Sequence, residues 1–464
     1  MLRSGVVRGY SAQAPFPQAP GFAPVPSIAE FVTSDPTCTF QIIGGSARPV
    51  TTIAAVGITT TTSSGNPVAN ASISCTSQAG AAQPIVYGGS SLSSFSSNFT
   101  GVDYRVDNSI PGGSIRLSNQ TLHIADSNFS GLTPYAQATL ILQGSQVSMR
   151  RTSFVGNIQS VAGGIYADSS TLELDSCVFR NNFGYQGGAI SLTGSSSLLI
   201  ANTTEFTNNT GQQGGALSVT AGSAVVQNSI FNQNNCTSGG AVYLDHVPVA
   251  AFSDSSFTSN VATSNGGGIF SNDAGLLELS SCSFSNNKGQ TGGAVSANLG
   301  DAVAFFDCTF TNNTASQGGG AILATNVTSA QVSSCTFSSN KAQKGGGLLI
   351  NACNGDVLDS NFTSNTASQN GGGSFRSSGS GHIARCSFTK NKSSGQGGAV
   401  YEQAMEQAAV LNSTFSGNTA SGSGNNASGG SVSGGNGIYV FRSDSEMVSG
   451  NKGLSSGDIV QTDN

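Results

Sequence analysis

A Phe-x-x-Asn tetrad recurs along this chain once every 25 to 27 residues. The eleven tetrads begin at Phe154, Phe179, Phe206, Phe231, Phe257, Phe284, Phe310, Phe337, Phe362, Phe388 and Phe415. A fixed period of this length is typical of stacked structural units, each of which buries its apolar side against its neighbours. The spacing therefore predicts a solenoid.

Other positions of the repeat are also restricted. Each unit has an apolar residue five positions before the Phe and a Ser, Thr or Cys two positions before it, as in Leu174, Cys177 and Phe179. Residues two apart in a strand point to the same face, so the small residue and the Phe should both point inward. The step of three between the apolar and the small residue breaks this alternation. It predicts a bend between two short strands.

A pair of glycines follows each polar stretch after the Asn, as in Gly214-Gly215-Ala216-Leu217. Paired glycines allow positive φ and close approach of two backbones, which is what a turn above another turn requires. We expect about three short strands and three turns in each unit. No helical period of 3.6 residues is present.

These features predict an all-β chain that forms a right-handed parallel β-helix of about 26 residues per coil. Parallel strands lie about 4.8 Å apart, so equivalent side chains should form ladders along the inside. The right hand follows from the general preference of parallel crossovers. The expected ladders comprise Phe179, Asn182, Phe206, Asn209, Phe231, Asn234, Phe257, Asn260, Phe284, Asn287, Phe310, Asn313, Phe337, Asn340, Phe362, Asn365, Phe388 and Asn391.

The repeat divides the chain into four parts. Residues 1–37 are expected to be a disordered Pro/Ala-rich segment, and residues 38–130 a capping region with degenerate coils that include a tetrad at Phe95 to Asn98. Residues 131–441 should form the regular β-helix, and residues 442–464 a polar tail.

The composition argues against several classes of partner. The formal charge is -6, and the 17 Lys and Arg residues are scattered, whereas a nucleic-acid surface needs them clustered. No apolar run reaches the 18 or more residues of a spanning helix, so direct membrane insertion is not expected. The first residues contain no apolar core of a secretory signal, which implies an unconventional export route or a fragment.

The Gly-Gly-Ala-[Ile/Leu/Val] run paired with Phe-x-x-Asn on this period resembles the polymorphic outer membrane protein repeat. That repeat is known from chlamydial surface adhesins and from other exported β-helix proteins. The resemblance implies a pectin-lyase-like solenoid that is secreted or exposed at the cell surface and serves in adhesion. The implied ligand is a cell-surface protein or a glycan, and no cofactor is expected.

Cysteine placement leaves several interpretations open. Cys282, Cys308 and Cys335 occupy the small inward position in three adjacent coils, where buried free residues, one disulfide or a metal site are alternatives. Ser or Thr holds the same position in most other coils, which favours buried small residues. Cys38 and Cys75 lie outside the repeat and are a candidate disulfide.

One charged cluster is the weak candidate for chemistry. Asp356 and His382 share the position six before the Phe, and Asp359 and Arg385 share the position three before it, so both pairs should meet across neighbouring coils. The cluster could supply a carboxylate, an imidazole and a guanidinium to an active site, or it could be two surface ion pairs.

Two functions compete. The first is a non-catalytic extracellular or cell-surface protein with a structural or adhesive role. The second is a polysaccharide lyase or hydrolase, because pectin-degrading enzymes are also β-helices. The constant coil length leaves no room for the inserted loops that form clefts in those enzymes, which favours the first.

Overall fold

The computed structural model describes residues 121–130 and 137–422 throughout, and shorter segments at 56–58, 73–75, 97–100, 103–105, 115–119, 438–441, 446–449, 451–452 and 459–462. Every regular element in these ranges is a β-strand. Accordingly, no helix in the described ranges is long and apolar enough to cross a membrane. The expected disordered segment 1–37 lies outside the described residues, as does Cys38.

Each coil contains up to four strand positions, which we name a, b, c and d in chain order. In one coil they are Leu217–Thr220, Ser223–Gln227, Ile230–Asn232 and Asn235–Cys236. Strands at the same position in successive coils pair in parallel, with Phe231 opposite Phe257. Positions a and b form one sheet of 26 strands, position c forms 13 strands and position d forms eight. The predicted parallel β-helix is confirmed.

Position a comprises Ile115–Ser118, Leu140–Gln143, Ile165–Asp168, Ile190–Thr193, Leu217–Thr220, Val242–Asp245, Ile322–Thr325, Leu348–Asn351, Ser374–Ser377, Val400–Gln403, Ile438–Phe441 and Ile459–Thr462. Position b comprises Ser97–Thr100, Thr121–Ala125, Gln146–Arg150, Thr171–Asp175, Leu198–Asn202, Ser223–Gln227, Val249–Ser253, Ser329–Ser333, Asn354–Leu358, Ser380–Ala384, Gln407–Leu411 and Glu446–Ser449. In two coils a and b are one continuous strand, Ile269–Ser280 and Val295–Phe306.

Position c comprises Asp103–Arg105, Asn128–Ser130, Ser153–Val155, Val178–Arg180, Glu205–Thr207, Ile230–Asn232, Ser256–Thr258, Ser283–Ser285, Thr309–Thr311, Thr336–Ser338, Asn361–Thr363, Ser387–Thr389 and Thr414–Ser416. Position d comprises Asn235–Cys236, Val261–Ala262, Lys288–Thr291, Thr314–Gly318, Lys341–Ala342, Thr366–Ala367, Lys392–Ser393 and Thr419–Ala420. Val56–Ile58 and Ile73–Cys75 form a separate antiparallel pair.

A single left-handed residue makes the predicted bend between positions b and c. Ser176 has φ 55°, and Asn228 and Asp254 at the same position of their coils have φ 48°. One residue in this conformation turns the chain through a corner, and Asn and Asp tolerate it better than most residues. The corner explains why the inward positions are separated by three residues there.

The two glycines of a pair serve different needs in most coils, as Gly214 and Gly215 show. Gly214 has φ +72°, whereas a Cβ atom on Gly215 would lie 2.1 Å from the carbonyl oxygen of Gly240 in the next coil. The first glycine therefore supplies the backbone conformation, and the second allows adjacent turns to approach. Both predicted roles are present.

The Phe ladder is continuous from Phe129 to Phe415. Consecutive rings stack with centroids 4.5 to 5.2 Å apart. These rings are buried, with no more than 4% of any of them exposed. Stacked aromatic pairs add about 0.5 to 1.5 kcal/mol beyond the burial of their surface, so the ladder is a main part of the core.

The Asn ladder satisfies both the side chains and the turn backbone. The Asn287 side-chain NH2 group donates to Asn313 Oδ1 at 3.0 Å and to the carbonyl oxygen of Phe257 at 2.8 Å. Asn287 Oδ1 accepts from the backbone N–H of Asn260 at 2.9 Å and from the side-chain NH2 group of Asn260 at 3.0 Å. Each buried amide is thus fully used, which removes the cost of burying it.

A charged pair interrupts the apolar interior. Arg376 and Glu402 are opposite each other at position a of adjacent coils, and both side chains are completely buried. Arg376 Nε donates to Glu402 Oε1 at 2.8 Å, and Arg376 Nη1 donates to the carbonyl oxygen of Gly355 at 3.0 Å. Glu402 Oε2 has no hydrogen-bond partner among the described residues. This pair was not predicted from the sequence.

Coils also precede the regular array, where Asn98 pairs with His123 at position b and Tyr104 lies opposite Phe129 at position c. Two expectations about the coils were wrong. Segment 442–464 is not only a tail, since Glu446–Ser449 and Ile459–Thr462 join the large sheet. Coils also contain a fourth strand at position d. Such short strands in polar sequence carry little periodic signal.

Candidate functional site

The predicted charged cluster lies on the outer surface of the β-helix, at strand position b and at the corner between positions b and c. Arg385 donates from Nε and Nη2 to the two carboxylate oxygens of Asp359, each at 2.7 Å. His382 Nδ1 lies 3.2 Å from Asp356 Oδ1, which also accepts from the His382 backbone N–H at 2.8 Å. The structure therefore brings both predicted pairs together.

These pairs are largely solvated. Their side chains are 43% to 57% exposed. Hydrogen bonding to Arg385 lowers the pKa of Asp359, and the same bond raises the pKa of Arg385. The carboxylate is thus ionised at neutral pH and is protonated only as the pH falls below the ordinary carboxyl range. Exposed pairs of this kind contribute about 0 to 1 kcal/mol.

Two further histidines make contacts that were not predicted. His246 Nδ1 lies 3.0 Å from Asp245 Oδ1, and His246 Nε2 lies 3.3 Å from Asp273 Oδ2 in the next coil. His123 Nδ1 lies 2.5 Å from Ser148 Oγ. All three histidines of the chain therefore contact polar side chains on the outer surface.

The signal for the His123 contact was present in the sequence. His123, Ser148 and Glu173 occupy the position six before Phe129, Phe154 and Phe179, and the structure pairs them in this order. Burial raises the pKa of Glu173, and the charge of His123 opposes that shift. Ser148 lies between the other two residues, so the histidine does not bridge the serine and the acid as it does in a catalytic triad.

Metal binding has no support in the described ranges. No group of three or more His, Cys, Asp or Glu side chains there is arranged to hold a metal ion. The cysteine positions weighed as a metal or disulfide site, Cys282, Cys308 and Cys335, hold free buried thiols. The Cys38 and Cys75 pair lies outside what the structure describes, since only the backbone of Cys75 is included.

We expect the seven described cysteines to resist alkylation in the folded protein. All are buried, and burial raises the pKa of Cys177 and Cys236 to about 12 and that of Cys386 to about 11. Since the thiolate is the nucleophile and only a very small fraction of these thiols is ionised at pH 8, they should react little with an alkylating reagent. Peptide mass spectrometry should find these residues unlabelled by iodoacetamide before unfolding and labelled in guanidinium without reductant. A cysteine that stays unlabelled after unfolding would reveal a disulfide.

A shallow, open pocket of about 270 Å³ lies beside the Gly-Gly turns. Its lining residues are Tyr185, Gln212, Gln213, Thr237, Ser238, Tyr243 and Phe270. Tyr243 and Phe270 are neighbours on the outer face of position a, with ring centroids 5.6 Å apart. Tyr185 is 55% exposed, whereas most of the aromatic rings that the structure describes are buried. The pocket was not predicted from the sequence, because its residues come from five coils.

Comparison with known proteins agrees with this fold. The family model described as the right-handed beta helix region matches residues 138–305, and the model described as the Chlamydia polymorphic membrane protein repeat matches residues 307–325 and 385–401. No curated protein matches the chain.

Two solved structures show distant similarity. The catalytic unit of a GH87 alpha-1,3-glucanase from Streptomyces thermodiastaticus is 13% identical with a TM-score of 0.28, and the match covers 80% of this chain and 63% of that one, less than two thirds of its length. The mannuronan C-5 epimerase AlgE6 A-module from Azotobacter vinelandii is 10% identical with a TM-score of 0.23, covering 80% of this chain and 91% of the module. The chain is a right-handed parallel β-helix protein that carries repeats of the polymorphic membrane protein type.

Proposed function

We propose that this chain is a non-catalytic protein of the cell surface or extracellular space, and that its long solenoid serves in adhesion. The observation that carries the proposal is the even coil. From Phe129 to Phe415 each Phe lies directly opposite the next, and successive Phe residues are always 25 to 27 residues apart. No coil in this range has enough residues for a large projecting loop.

The surface composition supports the same function. Only 9% of the residues are charged. Among the exposed residues that the structure describes, Ser, Thr, Asn and Gln are the most common. Such a surface offers many hydroxyl and amide groups to a partner but few groups for acid, base or ionic catalysis. The repeat type, named for a membrane protein of Chlamydia, also supports a surface location.

The location can be tested with antibodies against the folded chain. Cells of the source organism should be labelled before permeabilisation, and trypsin added to intact cells should remove the signal. An abundant cytoplasmic enzyme of the same cells serves as the control, because it should be labelled only after permeabilisation. Labelling that requires permeabilisation would contradict the proposed location.

Adhesion needs a separate measurement. Beads coated with the full-length chain should bind to host or neighbouring cells more than beads coated with the same chain after thermal unfolding. The comparison holds composition and charge constant, so a difference reports on the folded surface. Equal binding of the two kinds of bead would contradict an adhesive role.

The charged cluster supports a polysaccharide lyase or hydrolase as a second candidate. Asp359, Arg385, Asp356 and His382 place carboxylate, guanidinium and imidazole groups on two adjacent coils. Polygalacturonate and related polysaccharides should be assayed with and without calcium, and we expect no turnover. Turnover that is lost in Asp359→Ala and kept in Asp254→Ala would support the enzyme, because Asp254 is an exposed acid at the same corner position.

A further inference from the structure

The pocket beside the Gly-Gly turns combines aromatic rings with neutral polar groups from successive coils. The backbone N–H of Gln212 donates to the carbonyl oxygen of Tyr185 at 2.8 Å, and that of Ser238 donates to Gln212 at 3.3 Å. These bonds fix the turns above one another. The lining side chains are therefore carried on a rigid frame, which lowers the entropy cost of binding.

The polar side chains at the pocket are not used by the fold. Gln212, Gln213, Thr237 and Ser238 make no side-chain hydrogen bond to any described residue. Some of the turn residues in other coils, by contrast, are engaged.

In the preceding coil, Gln186 Oε1 accepts from Ser191 Oγ at 3.0 Å. Two coils beyond the pocket, Thr291 Oγ1 donates to Asn265 Oδ1 at 2.8 Å. The pocket thus offers two amides and two hydroxyls whose donors and acceptors are free for a ligand.

The absence of charge at the pocket restricts the class of ligand. None of its seven lining residues is ionisable as an acid or a strong base, apart from the weakly acidic tyrosine hydroxyls. Asp245 lies two residues after Tyr243 and so on the same face of the strand. A nearby carboxylate disfavours anionic ligands, and a cationic ligand would lack a buried partner in the lining.

The surrounding sheet disfavours an extended peptide. Val242–Asp245 pairs with Leu217–Thr220 on one side and with Ile269–Ser280 on the other. Since both edges of the strand are occupied, a peptide cannot add to the sheet at the pocket. Its ligand must instead be recognised through rings, amides and hydroxyls.

We propose that this pocket binds a neutral glycan. A sugar ring has C–H groups that suit the electron-rich faces of Tyr185 and Tyr243, and its hydroxyls can bond to Gln212, Gln213, Thr237 and Ser238. The proposal rests on the adhesive function above and gives it a ligand class. The pocket is open, so it accepts one stretch of a longer chain.

The test is isothermal titration calorimetry on the full-length chain. The probes are hexasaccharides of β-1,4-linked glucose, mannose and xylose, with hexagalacturonate as the acidic control. We expect at least one neutral probe to bind with a Kd of about 0.1 to 1 mM and hexagalacturonate to bind at least about tenfold more weakly.

Substitutions locate the binding. Tyr185→Ala should weaken it by about tenfold or more, and Gln212→Ala by about threefold or more. Phe183→Ala removes a 46% exposed ring outside the pocket, and Gln343→Ala removes an exposed amide at the equivalent turn position of a distant coil. Both controls should stay within about twofold of wild type.

Three results would overturn the glycan proposal. The first is that no neutral hexasaccharide binds with a Kd below about 5 mM. The second is that hexagalacturonate binds as tightly as the neutral probes, and the third is that Tyr185→Ala and Gln212→Ala leave the Kd unchanged. The bead assay separates this failure from failure of adhesion itself. If beads coated with the Tyr185→Ala variant bind cells as well as wild-type beads do, the chain is adhesive but the pocket is not its adhesive site. If the chain binds a neutral sugar but the beads do not bind cells, the pocket binds a glycan and the adhesive role is contradicted.

Discussion

Replacing Arg376 alone with leucine should lower the free energy of unfolding by about 3 to 5 kcal/mol. The substitution leaves Glu402 as an uncompensated charge in the interior, where its Oε2 atom already lacks a hydrogen-bond partner among the described residues. Glu402→Leu should have a similar effect, because it leaves the guanidinium of Arg376 with only the carbonyl oxygen of Gly355. Urea unfolding followed by circular dichroism measures both effects.

The double variant distinguishes a costly pair from a stabilising one. Arg376→Leu combined with Glu402→Leu removes both charges at a position where the preceding coil has Ile350. We expect it to be close to wild type in stability or above it, because replacing a buried pair by apolar residues is often neutral or favourable. Additive losses in the double variant would show that the two charges are not coupled.

Replacing Phe284 with alanine should lower the free energy of unfolding by about 3 to 5 kcal/mol. Phe284 is completely buried and stacks on Phe257 at 4.5 Å and on Phe310 at 5.1 Å. The substitution leaves a cavity and breaks both stacked pairs. Because coils contact only their neighbours, hydrogen exchange should also show faster opening of amides in the adjacent coils than in distant ones.

Phe183→Ala is the control for this measurement. Its ring is exposed, so its loss should change the free energy by no more than about 0.5 kcal/mol. A loss below about 1 kcal/mol for Phe284→Ala would contradict the ladder, since it would mean that the cavity closes at little cost.

The period of the sequence was sufficient to predict the coil, because its signals repeat. Phe179, Asn182 and their counterparts recur in every unit, so a pattern too weak in one coil becomes clear in eleven. The bend at Ser176 followed from the same alignment. Features that occur only once give no such repeated signal. The charged pair of Arg376 and Glu402 was therefore not predicted, because their strand position is occupied by apolar or small residues in the other coils.

The candidate sites depended on contacts between coils. Asp359 and Arg385 were predictable because they share one position of the repeat, which places them in adjacent coils. Tyr185 and Phe270 do not share a position, and their common pocket depends on the path of the turns between them. His246 lies at a corner between positions a and b that the Phe alignment does not define.

The Asn ladder gives the solenoid a direction. From Asn157 to Asn391, one N–H of each side-chain amide donates to the Asn of the next coil, so that each Oδ1 from Asn182 to Asn418 accepts from the coil before it. The amide dipoles therefore add along the axis, and each hydrogen bond polarises its neighbours. Asn418 donates to the carbonyl oxygen of Phe388, and no described residue follows it in the ladder. The ladder therefore differs at its two ends, because its chain of side-chain N–H···O bonds points from the N-terminal coils toward the C-terminal ones.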